Sequence, residues 1–191
     1  VLLLINIGPL SRSEAAGVPT LREIKVVANS KELIGVANSA NEGTVLKRQL
    51  DLRTVYRPGE LLETVPGLIV TQHSGEGKAN QYFLRGFNLD HGTDLRISVD
   101  GMLVNQRSHG HGQGWADTNF IIPELTSSLQ YQKGPYYADQ GDFSSAGAIH
   151  MGYADTLPKG ILSYGIGQQG FMRGLIAKSH QVGHGNFLYA T

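Results

Sequence analysis

The sequence predicts an α+β fold in which short strands outnumber helices, with antiparallel strands from residue 153 onwards. Glycine contributes 25 of the 191 residues, about 13% against a usual value of about 7%. Only 17% of the residues are charged. Several short runs alternate apolar and polar residues between glycine or proline turns, which is the pattern of half-buried strands. Together these features favour a turn-rich, strand-rich protein over a helical one.

Charge and cysteine content exclude several classes of function. The chain carries 16 Lys and Arg against 16 Asp and Glu, and no basic stripe with aromatics predicts contact with nucleic acid. It has no cysteine, so it forms neither a disulfide framework nor a thiolate zinc site. No Ser/His/Asp or Cys/His set, zincin motif or phosphate-binding loop occurs in a plausible frame. We therefore expect neither an enzyme nor a bound cofactor.

The N-terminal residues, VLLLINIGPL, are apolar but too few for a membrane-spanning helix, which needs about 20 residues. They suit the apolar core of a secretory signal peptide, with Ala15-Ala16-Gly17 as a cleavage region; the alternative is a buried strand. Residues 1–20 are therefore predicted to be the remainder of a signal peptide and a linker. Residues 21–28, LREIKVVA, form a lone β-prone run. Residues 29–45 are predicted to lack regular structure.

The next forty or so residues predict one clear helix and two strands. Proline suits the first position of a helix, because its missing N–H would have no partner there. An apolar stripe of Leu61, Leu62 and Val65 follows such a proline, and a Pro-Gly pair ends it. The predicted elements are a helical turn at 45–52, a helix from Pro58 to Pro66-Gly67, and strands at 68–71 and 82–85.

A hairpin and a long loop are predicted after these strands. Leu95, Ile97 and Val99 alternate with two polar residues, which predicts a strand with one buried face. Asp100-Gly101 is a strong hairpin signal, and a second strand is predicted at 102–104. A loop without apolar periodicity follows at residues 105–117.

The segment from Gln130 to Met151 predicts a strand, a tight corner and a second strand. Its corner is Lys133-Gly134-Pro135, where glycine and proline adopt backbone angles that other residues reach only at a cost. Beyond it, residues 162–166 alternate apolar residues with serine and glycine, and a short turn and two further β-like runs follow. Strands that are apolar on one face and joined by short turns fit a transmembrane β-barrel.

Four of these segments occur in the order found in the plug domain of TonB-dependent outer-membrane receptors, which the chain resembles. They are RPGELLETVPGLIV (57–70), YFLRGF (82–87), LRISVDGML (95–103) and the segment containing the Lys-Gly-Pro corner (122–151). The resemblance implies a small mixed-sheet plug domain with short helices, followed by antiparallel strands of an incomplete 22-stranded transmembrane β-barrel. Because such a barrel needs several hundred residues, the chain is expected to be a fragment.

The resemblance also implies a division of the chain into domains. A TonB-box-like periplasmic segment is predicted at 21–45, the plug domain at 46–152 and the first barrel strands at 153–191. The TonB box itself is assigned to Leu21, Arg22, Glu23, Ile24, Lys25, Val26, Val27 and Ala28. Such an extended segment can add as a strand to an exposed sheet edge, here of TonB; the alternative is a plain strand.

The implied function is uptake of a scarce nutrient, with a ferric siderophore or another metal chelate as the leading substrate. Plug remodelling would be coupled to TonB and driven by the proton-motive force. The implied partners are TonB with its inner-membrane energising complex, outer-membrane lipid and the ligand. The implied location is the cell outer membrane of a Gram-negative bacterium, with the plug facing the periplasm and the barrel lumen. A ligand-binding plug fragment without transport and a receptor for a free metal ion remain open as alternatives.

Two loops, at residues 73–80 and 105–117, correspond to the ligand-contacting loops of the family. The candidate ligand contacts there and beside the corner are His73, Glu76, Lys78, His109, His111, Gln113, Trp115, Tyr136 and Tyr137. His109 and His111 could bind a metal or its chelate, with a third ligand from His73, Glu76 or Asp117. The alternatives are that the histidines only hydrogen-bond to neighbours and that the aromatic rings only pack.

Arg85 is the candidate contact between plug and barrel. It ends a predicted strand beside Gly86. The resemblance implies that it pairs with acidic residues of the barrel and fixes the plug in the lumen. The alternative is an exposed arginine at the end of a strand.

Overall fold

The computed structural model describes residues 35–72, 78–108 and 114–191, which form twelve strands and five short helices. One of these helices is an α-helix, α1 (Lys47–Asp51), and the other four are 3₁₀ helices at Pro58–Thr64, Pro123–Leu125, Ala138–Gln140 and Gln168–Gly170. The strands are β1 (Gly35–Ala37), β2 (Glu42–Leu46), β3 (Leu68–Thr71), β4 (Gln81–Leu84), β5 (Phe87–Asn88), β6 (Leu95–Val99), β7 (Met102–Leu103), β8 (Thr126–Lys133), β9 (Gly147–Tyr153), β10 (Ile161–Ile166), β11 (Met172–Val182) and β12 (Gly185–Ala190).

A six-stranded mixed sheet is the largest element of the fold. Its strand order is β1-β2-β8-β9-β6-β7. The pair β6 and β9 is parallel, whereas the other neighbouring strands are antiparallel. The predicted α+β class with a mixed sheet and short helices is confirmed.

The main sheet has one apolar and one polar face. Across β8, β9 and β6, the register places Tyr131 beside Ile149 and Ile149 beside Ile97, and all three are buried in the core. On the other face, one row across the same strands consists of Gln130, His150 and Ser98. This alternation follows from the period of two along a strand, which sends successive side chains to opposite faces.

A second sheet, β3-β4-β5, packs with the 3₁₀ helix Pro58–Thr64 against the same core. Leu61, Leu62 and Val65 are fully buried, so the predicted helix and its apolar stripe are confirmed, although the helix is of the 3₁₀ type. The Glu60 carboxylate accepts hydrogen bonds from the backbone N–H groups of Tyr56 (3.0 Å) and Arg57 (3.3 Å) and so completes the first turn.

The predicted corner after β8 is confirmed. Gly134 has a φ of +96°, and its N–H donates to the Ala146 carbonyl at 2.7 Å, which returns the chain towards β9. Gly147, at the start of β9, has a φ of +153°, and a Cβ there would lie 2.4 Å from the Gln132 carbonyl oxygen. Glycine is therefore required where β8 and β9 begin to pair.

The last three strands form an antiparallel sheet, β10-β11-β12, as predicted. Leu162, Tyr164 and Ile166 are all exposed on one face of β10. The opposite face of the sheet buries Leu175 and Ala177 of β11 in a small apolar cluster with Leu125. One face is thus apolar and exposed, and the other packs on the rest of the domain.

The prediction that residues 35–37 and 42–45 lack regular structure is wrong. Both segments are strands, because β2 pairs with β8 and β1 pairs with β2. Ser98 was also expected to face outward with Arg96, but it is buried because His150 and the turn around Gln140 cover it. None of the helices in the described part of the chain is long and apolar enough to cross a membrane.

Candidate ligand-binding site

The end of the first predicted ligand loop lies beside the residues that follow the second loop. The Asn119 side-chain amide donates to the Lys78 carbonyl at 3.3 Å, and the Thr118 hydroxyl donates to the Asn80 side-chain oxygen at 3.2 Å. Asn80 and Thr118 are fully buried, whereas Asn119 is exposed. The hydrogen bonds therefore join segments 78–80 and 118–119, which are 38 to 41 residues apart in sequence.

His91 joins the first of these segments to residues 115–116, at the end of the second predicted loop. Its Nδ1 lies 3.0 Å from the Ala79 carbonyl and 3.1 Å from the Asn80 carbonyl, so this nitrogen carries a proton and donates it. Its own carbonyl accepts a hydrogen bond from the Ala116 N–H at 2.7 Å. The Trp115 ring lies against the imidazole, with ring centroids 5.0 Å apart. His91 is thus a structural histidine of the loop bases.

Tyr82 supports the base of the second loop. Its ring is completely buried, and its hydroxyl donates to the Ala116 carbonyl at 2.8 Å. Burial raises the pKa of Tyr82, so its hydroxyl stays protonated and continues to donate. Gly92 completes this contact, because a Cβ at that position would lie 2.6 Å from the Ala116 Cβ.

Trp115 packs in the interior. Packing was the alternative to ligand contact for this ring in the sequence analysis. Trp115 is only 6% exposed, and its backbone pairs with Gln106 through two hydrogen bonds of 2.7 and 3.0 Å. This bridge closes the chain on both sides of residues 109–113. The aromatic ring therefore supports the loop base in the described geometry.

The two tyrosines beside the corner differ in their surroundings. Tyr136 is 74% exposed, whereas the Tyr137 hydroxyl donates to a Glu42 carboxylate oxygen at 3.1 Å. Burial, followed by the hydrogen bond and the negative charge of Glu42, raises the pKa of Tyr137. Tyr137 lines a shallow cleft of about 440 Å³ with Asp142 and Phe143. Tyr136 is thus the more accessible of the two rings.

Arg85 lies beside a second cation, Lys133, on a cleft of about 420 Å³. The Arg85 guanidinium donates to the Asn41 side-chain oxygen at 2.5 Å and to the Ala40 carbonyl at 3.3 Å. Lys133 is 5% exposed, and its ammonium donates to the Pro66 carbonyl at 3.1 Å. Burial and the neighbouring Arg85 lower the pKa of Lys133. Within the described ranges, no carboxylate pairs with either cation.

A family model described as the TonB-dependent Receptor Plug Domain matches residues 37–148, which is more than half of the chain. The chain belongs to this plug-domain family. A curated relative, the vitamin B12 transporter BtuB of Vibrio vulnificus strain YJ016, is 28% identical over 143 residues. That alignment covers 75% of this chain but only 22% of the relative, so the chain spans about a fifth of that protein's length.

Solved structures share the fold of this plug. A ferric enterobactin receptor (PfeA) variant from Pseudomonas aeruginosa matches 81% of the chain and 24% of its own length, with a TM-score of 0.59 and 15% identity. The ferric yersiniabactin uptake receptor FyuA from Yersinia pestis matches 78% of the chain and 22% of its own length, with a TM-score of 0.57 and 22% identity. The copper transporter OprC matches 77% and 22%, with a TM-score of 0.52 and 22% identity.

The relatives agree with the expectation that the plug is not part of an enzyme. Those named here are described as transporters or receptors. The plug-domain match and the shared fold also confirm the resemblance that four sequence segments had indicated.

Several predicted site residues lie outside the described part of the plug chain. They are the TonB-box residues Leu21–Ala28 and the loop residues His73, Glu76, His109, His111 and Gln113. Asp117, a candidate third metal ligand, accepts a hydrogen bond from the Asn119 N–H at 2.8 Å. Among the described residues, no three His, Cys, Asp or Glu side chains are grouped so that they could hold a metal ion. The metal hypothesis therefore stays a prediction.

Sequence reasoning missed the buried polar residues that hold the plug loops. Asn105, for example, accepts from the Ile97 N–H at 2.7 Å and donates to the Gly92 and Leu95 carbonyls at 2.7 and 2.8 Å. The one local signal was an asparagine placed directly after a hairpin, a residue that often bonds to nearby backbone. For His91 no signal existed, because its partners come from a separate strand–loop segment.

Proposed function

We propose that this chain is the plug-bearing part of an outer-membrane receptor that takes up a metal chelate, with a ferric siderophore as the leading substrate. The observation that carries the proposal is the plug-domain match over residues 37–148, followed directly by the antiparallel sheet β10-β11-β12 with an apolar exposed face. Strands with that pattern suit the wall of a transmembrane barrel. The plug would then close the lumen of the barrel from the inside.

The whole receptor would be longer than this chain, which spans only 22–24% of the relatives named above. Residues 153–191 would supply the first barrel strands, and the plug would face the periplasm and the lumen. Leu21–Ala28 would pair with TonB as an added strand. TonB, powered through its inner-membrane complex by the proton-motive force, would remodel the plug and open a path for the substrate.

The substrate class is supported by what the relatives are named for. Vitamin B12, ferric enterobactin and ferric yersiniabactin are all metal chelates. In this chain, residues of the two loops and the two tyrosines beside the corner would contact such a ligand: His73, Glu76, Lys78, His109, His111, Gln113, Tyr136 and Tyr137. Trp115, which is only 6% exposed, would support the loop base instead. The hydrogen bonds between 78–80 and 118–119 support this grouping, because they bring the bases of both loops together.

Arg85 would join the plug to the barrel, together with Lys133. Two neighbouring cations on one cleft repel each other, and the lowered pKa of Lys133 reflects burial and this repulsion. A carboxylate from the barrel wall would relieve both charges at once. Arg85 already donates hydrogen bonds to Asn41 and Ala40, which hold its guanidinium in place. A barrel carboxylate would add the negative charge that these two neutral partners do not supply.

A receptor for a free metal ion is the second candidate. Two glycine-flanked imidazoles two residues apart are suitable ligands for Cu²⁺, Zn²⁺ or Ni²⁺. The structural likeness to the copper transporter OprC is compatible with this candidate but shows the fold alone. A plug that binds its ligand without transporting it is the third possibility.

The deciding experiment titrates the intact receptor in outer-membrane lipid with ferric siderophores, vitamin B12 and the free ions Zn²⁺, Cu²⁺ and Ni²⁺. Calorimetry compares wild type with the double variant His109→Ala/His111→Ala, and with His180→Ala/His184→Ala as a control outside the loops. We expect one chelate to bind, and the loop variant to weaken it about tenfold, which corresponds to about 1.4 kcal/mol. Uptake of the same chelate should cease in cells without TonB.

The other outcomes separate the candidates. Binding of a free ion that is lost only in the loop variant would replace the chelate proposal with the free-metal receptor. Chelate binding without any TonB-dependent uptake would leave a non-transporting binder. Neither chelate nor ion binding would contradict all three.

A further inference from the structure

Glu124 lies where three parts of the structure meet. It belongs to the 3₁₀ helix Pro123–Leu125, directly before β8. Its carboxylate accepts two hydrogen bonds from Arg173 of β11, Nη1 to Oε1 at 2.5 Å and Nη2 to Oε2 at 2.8 Å. Its main-chain carbonyl accepts a hydrogen bond from the Lys47 ammonium of α1 at 2.7 Å. We call the group of Glu124, Arg173 and Lys47 the Glu124 joint.

The contact between Glu124 and Arg173 is of a strong kind. Two parallel N–H···O bonds fix both the distance and the plane of the guanidinium, whereas a lysine could offer only one direction at a time. The two side chains are 31% and 39% exposed, so the pair is partly shielded from water. Such a pair holds its geometry better than an ion pair on an open surface.

Apolar contacts beside the Glu124 joint hold the same surfaces together. Leu125, the next residue, is buried with Leu175 and Ala177 of β11. Its carbonyl accepts a hydrogen bond from the Ala154 N–H at 2.8 Å. The polar pair and the apolar cluster therefore connect the same two parts, the turn before β8 and the inner face of β11.

The face of β11 on which Arg173 lies decides which parts of the receptor the Glu124 joint connects. Register and burial place Arg173, Leu175 and Ala177 on the face that packs on the plug, whereas Met172 and Ile176 are exposed on the opposite, apolar face. If the apolar face contacts lipid, Arg173 points into the barrel. Glu124 then connects the plug to the barrel wall, 49 residues away in sequence.

The connection extends to the N-terminal part of the plug. Lys47 follows β2 directly, and besides Glu124 it pairs with Asp51 at 2.8 Å within α1. Strand β2 in turn pairs with β8, the strand that begins after Glu124. A pull on the chain before β1 would therefore reach the Glu124 joint after only two short strands.

We propose that Glu124 is a positioning residue that fastens the plug to the first barrel strands through the Glu124 joint. The inference rests on the proposed transport function, since it assumes that β10–β12 belong to a barrel. It assigns to the joint a mechanical role: it keeps the plug attached to the wall and keeps the lumen sealed between transport events.

The test uses the intact receptor in cells that lack TonB, so that no substrate or transport step enters the measurement. Glu124→Gln keeps the size of the side chain but removes the charge that Arg173 requires. We expect uptake of a bulky hydrophilic antibiotic such as vancomycin to rise at least severalfold. Hydrogen–deuterium exchange should rise at the same time in residues 42–51 and 172–177. The charge-swapped variant Glu124→Arg/Arg173→Glu should restore both values most of the way.

A matched control removes an ion pair that lies wholly within the plug. Glu63 pairs with Arg53, and Glu63→Gln makes the same chemical change without touching β11. An unchanged antibiotic leak in Glu124→Gln, or an equal leak in Glu63→Gln, would overturn the proposal. If Glu124→Gln does not assemble, the charge-swapped variant decides: assembly and a sealed lumen support the joint, and failure of both variants contradicts it.

These outcomes stay separate from the proposed function. Vancomycin leak and hydrogen exchange report on the plug and its attachment without any chelate. A receptor that takes up no chelate but leaks in Glu124→Gln would refute the substrate proposal and keep the joint. A receptor that transports a chelate but shows no leak in Glu124→Gln would keep the substrate proposal and refute the joint.

Discussion

Asn105 shows how one buried side chain can satisfy three backbone groups at once. It accepts from Ile97 in the middle of β6 and donates to the carbonyl of Leu95, the first residue of β6, and to that of Gly92, in the turn before the strand. All three distances are 2.7 or 2.8 Å, and the side chain is buried. The asparagine therefore holds β6 to the segment that carries His91.

We expect Asn105→Ala to lower the free energy of unfolding by about 2–5 kcal/mol, because it leaves buried N–H and C=O groups without a partner. Asn119→Ala is the matched control: it removes one exposed hydrogen bond of 3.3 Å and should change stability by less than about 0.5 kcal/mol. Urea unfolding of the chain in detergent measures both. Equal effects of the two substitutions would show that the buried network of Asn105 does not stabilise the plug.

Which of these residues could be predicted depended on the range of their contacts. The position of Arg85 at a strand end and the Lys-Gly-Pro corner were predicted correctly because their signals are local: a strand end, a glycine and a proline in sequence. The role of Arg85 stays a prediction. Asn105, His91 and Glu124 were missed because their partners come from other segments, up to 49 residues away for Glu124. Polar residues of this kind carry no periodic pattern, so only the fold reveals them.

At the scale of elements, the turn Ala138–Gln140 is fastened to the polar face of the main sheet by His150. The His150 Nε2–H donates to the Gln140 side-chain oxygen at 2.7 Å, and the Ser98 hydroxyl donates to Nδ1 at 2.6 Å. A neutral imidazole satisfies both contacts, since one nitrogen donates and the other accepts. Burial, and then the charge of Arg96, lowers the pKa of His150, against the opposing effect of Asp139.

The lowered pKa predicts the direction of a pH effect. The folded state binds this proton less readily than the unfolded chain, whose histidine has a pKa of about 6.5. The stabilisation by neutral His150 is therefore complete above about pH 6.5 and is lost as the pH falls from there through the folded pKa. Unfolding measured between pH 7.5 and 5.5 should show a smaller loss in His150→Gln. Parallel curves would contradict this role, since the histidine would then contribute no pH dependence.

The elements themselves were largely predictable where turn chemistry and alternation coincide. Strand β6 with its Asp-Gly turn, the helix after Pro58 and the strands on both sides of the corner all follow from local signals. Strands β1 and β2 did not, because they contain glycine and small residues and owe their structure to pairing with β8. The burial of Ser98 was not predicted for a similar reason: alternation predicts which face of the strand a residue lies on, but not what covers that face.

At the scale of the whole molecule, the chain combines a buried apolar core with a sheet, β10–β12, whose outer apolar face is exposed. The core of the plug collects its apolar residues from both the main and the second sheet. By contrast, β10–β12 expose Leu162, Tyr164, Ile166, Met172, Ile176, Phe187 and Tyr189 on one face. A face of this kind is unfavourable in water and favourable in lipid. On this ground we propose that the membrane is part of the folding environment of residues 161–190.

This face provides a test of membrane assembly in the intact receptor. Ile176→Lys places a charge on the exposed apolar face, which costs about 2–4 kcal/mol where a barrel strand crosses the middle of the bilayer. Ser163→Lys is the matched control on the inner face, since Ser163 pairs with Leu175 in the neighbouring strand. We expect the folded, membrane-inserted fraction to fall for Ile176→Lys and to change little for Ser163→Lys. If both variants insert equally well, the apolar face does not contact lipid, and the assignment of β10–β12 to a barrel wall, on which the Glu124 joint depends, would have to be abandoned.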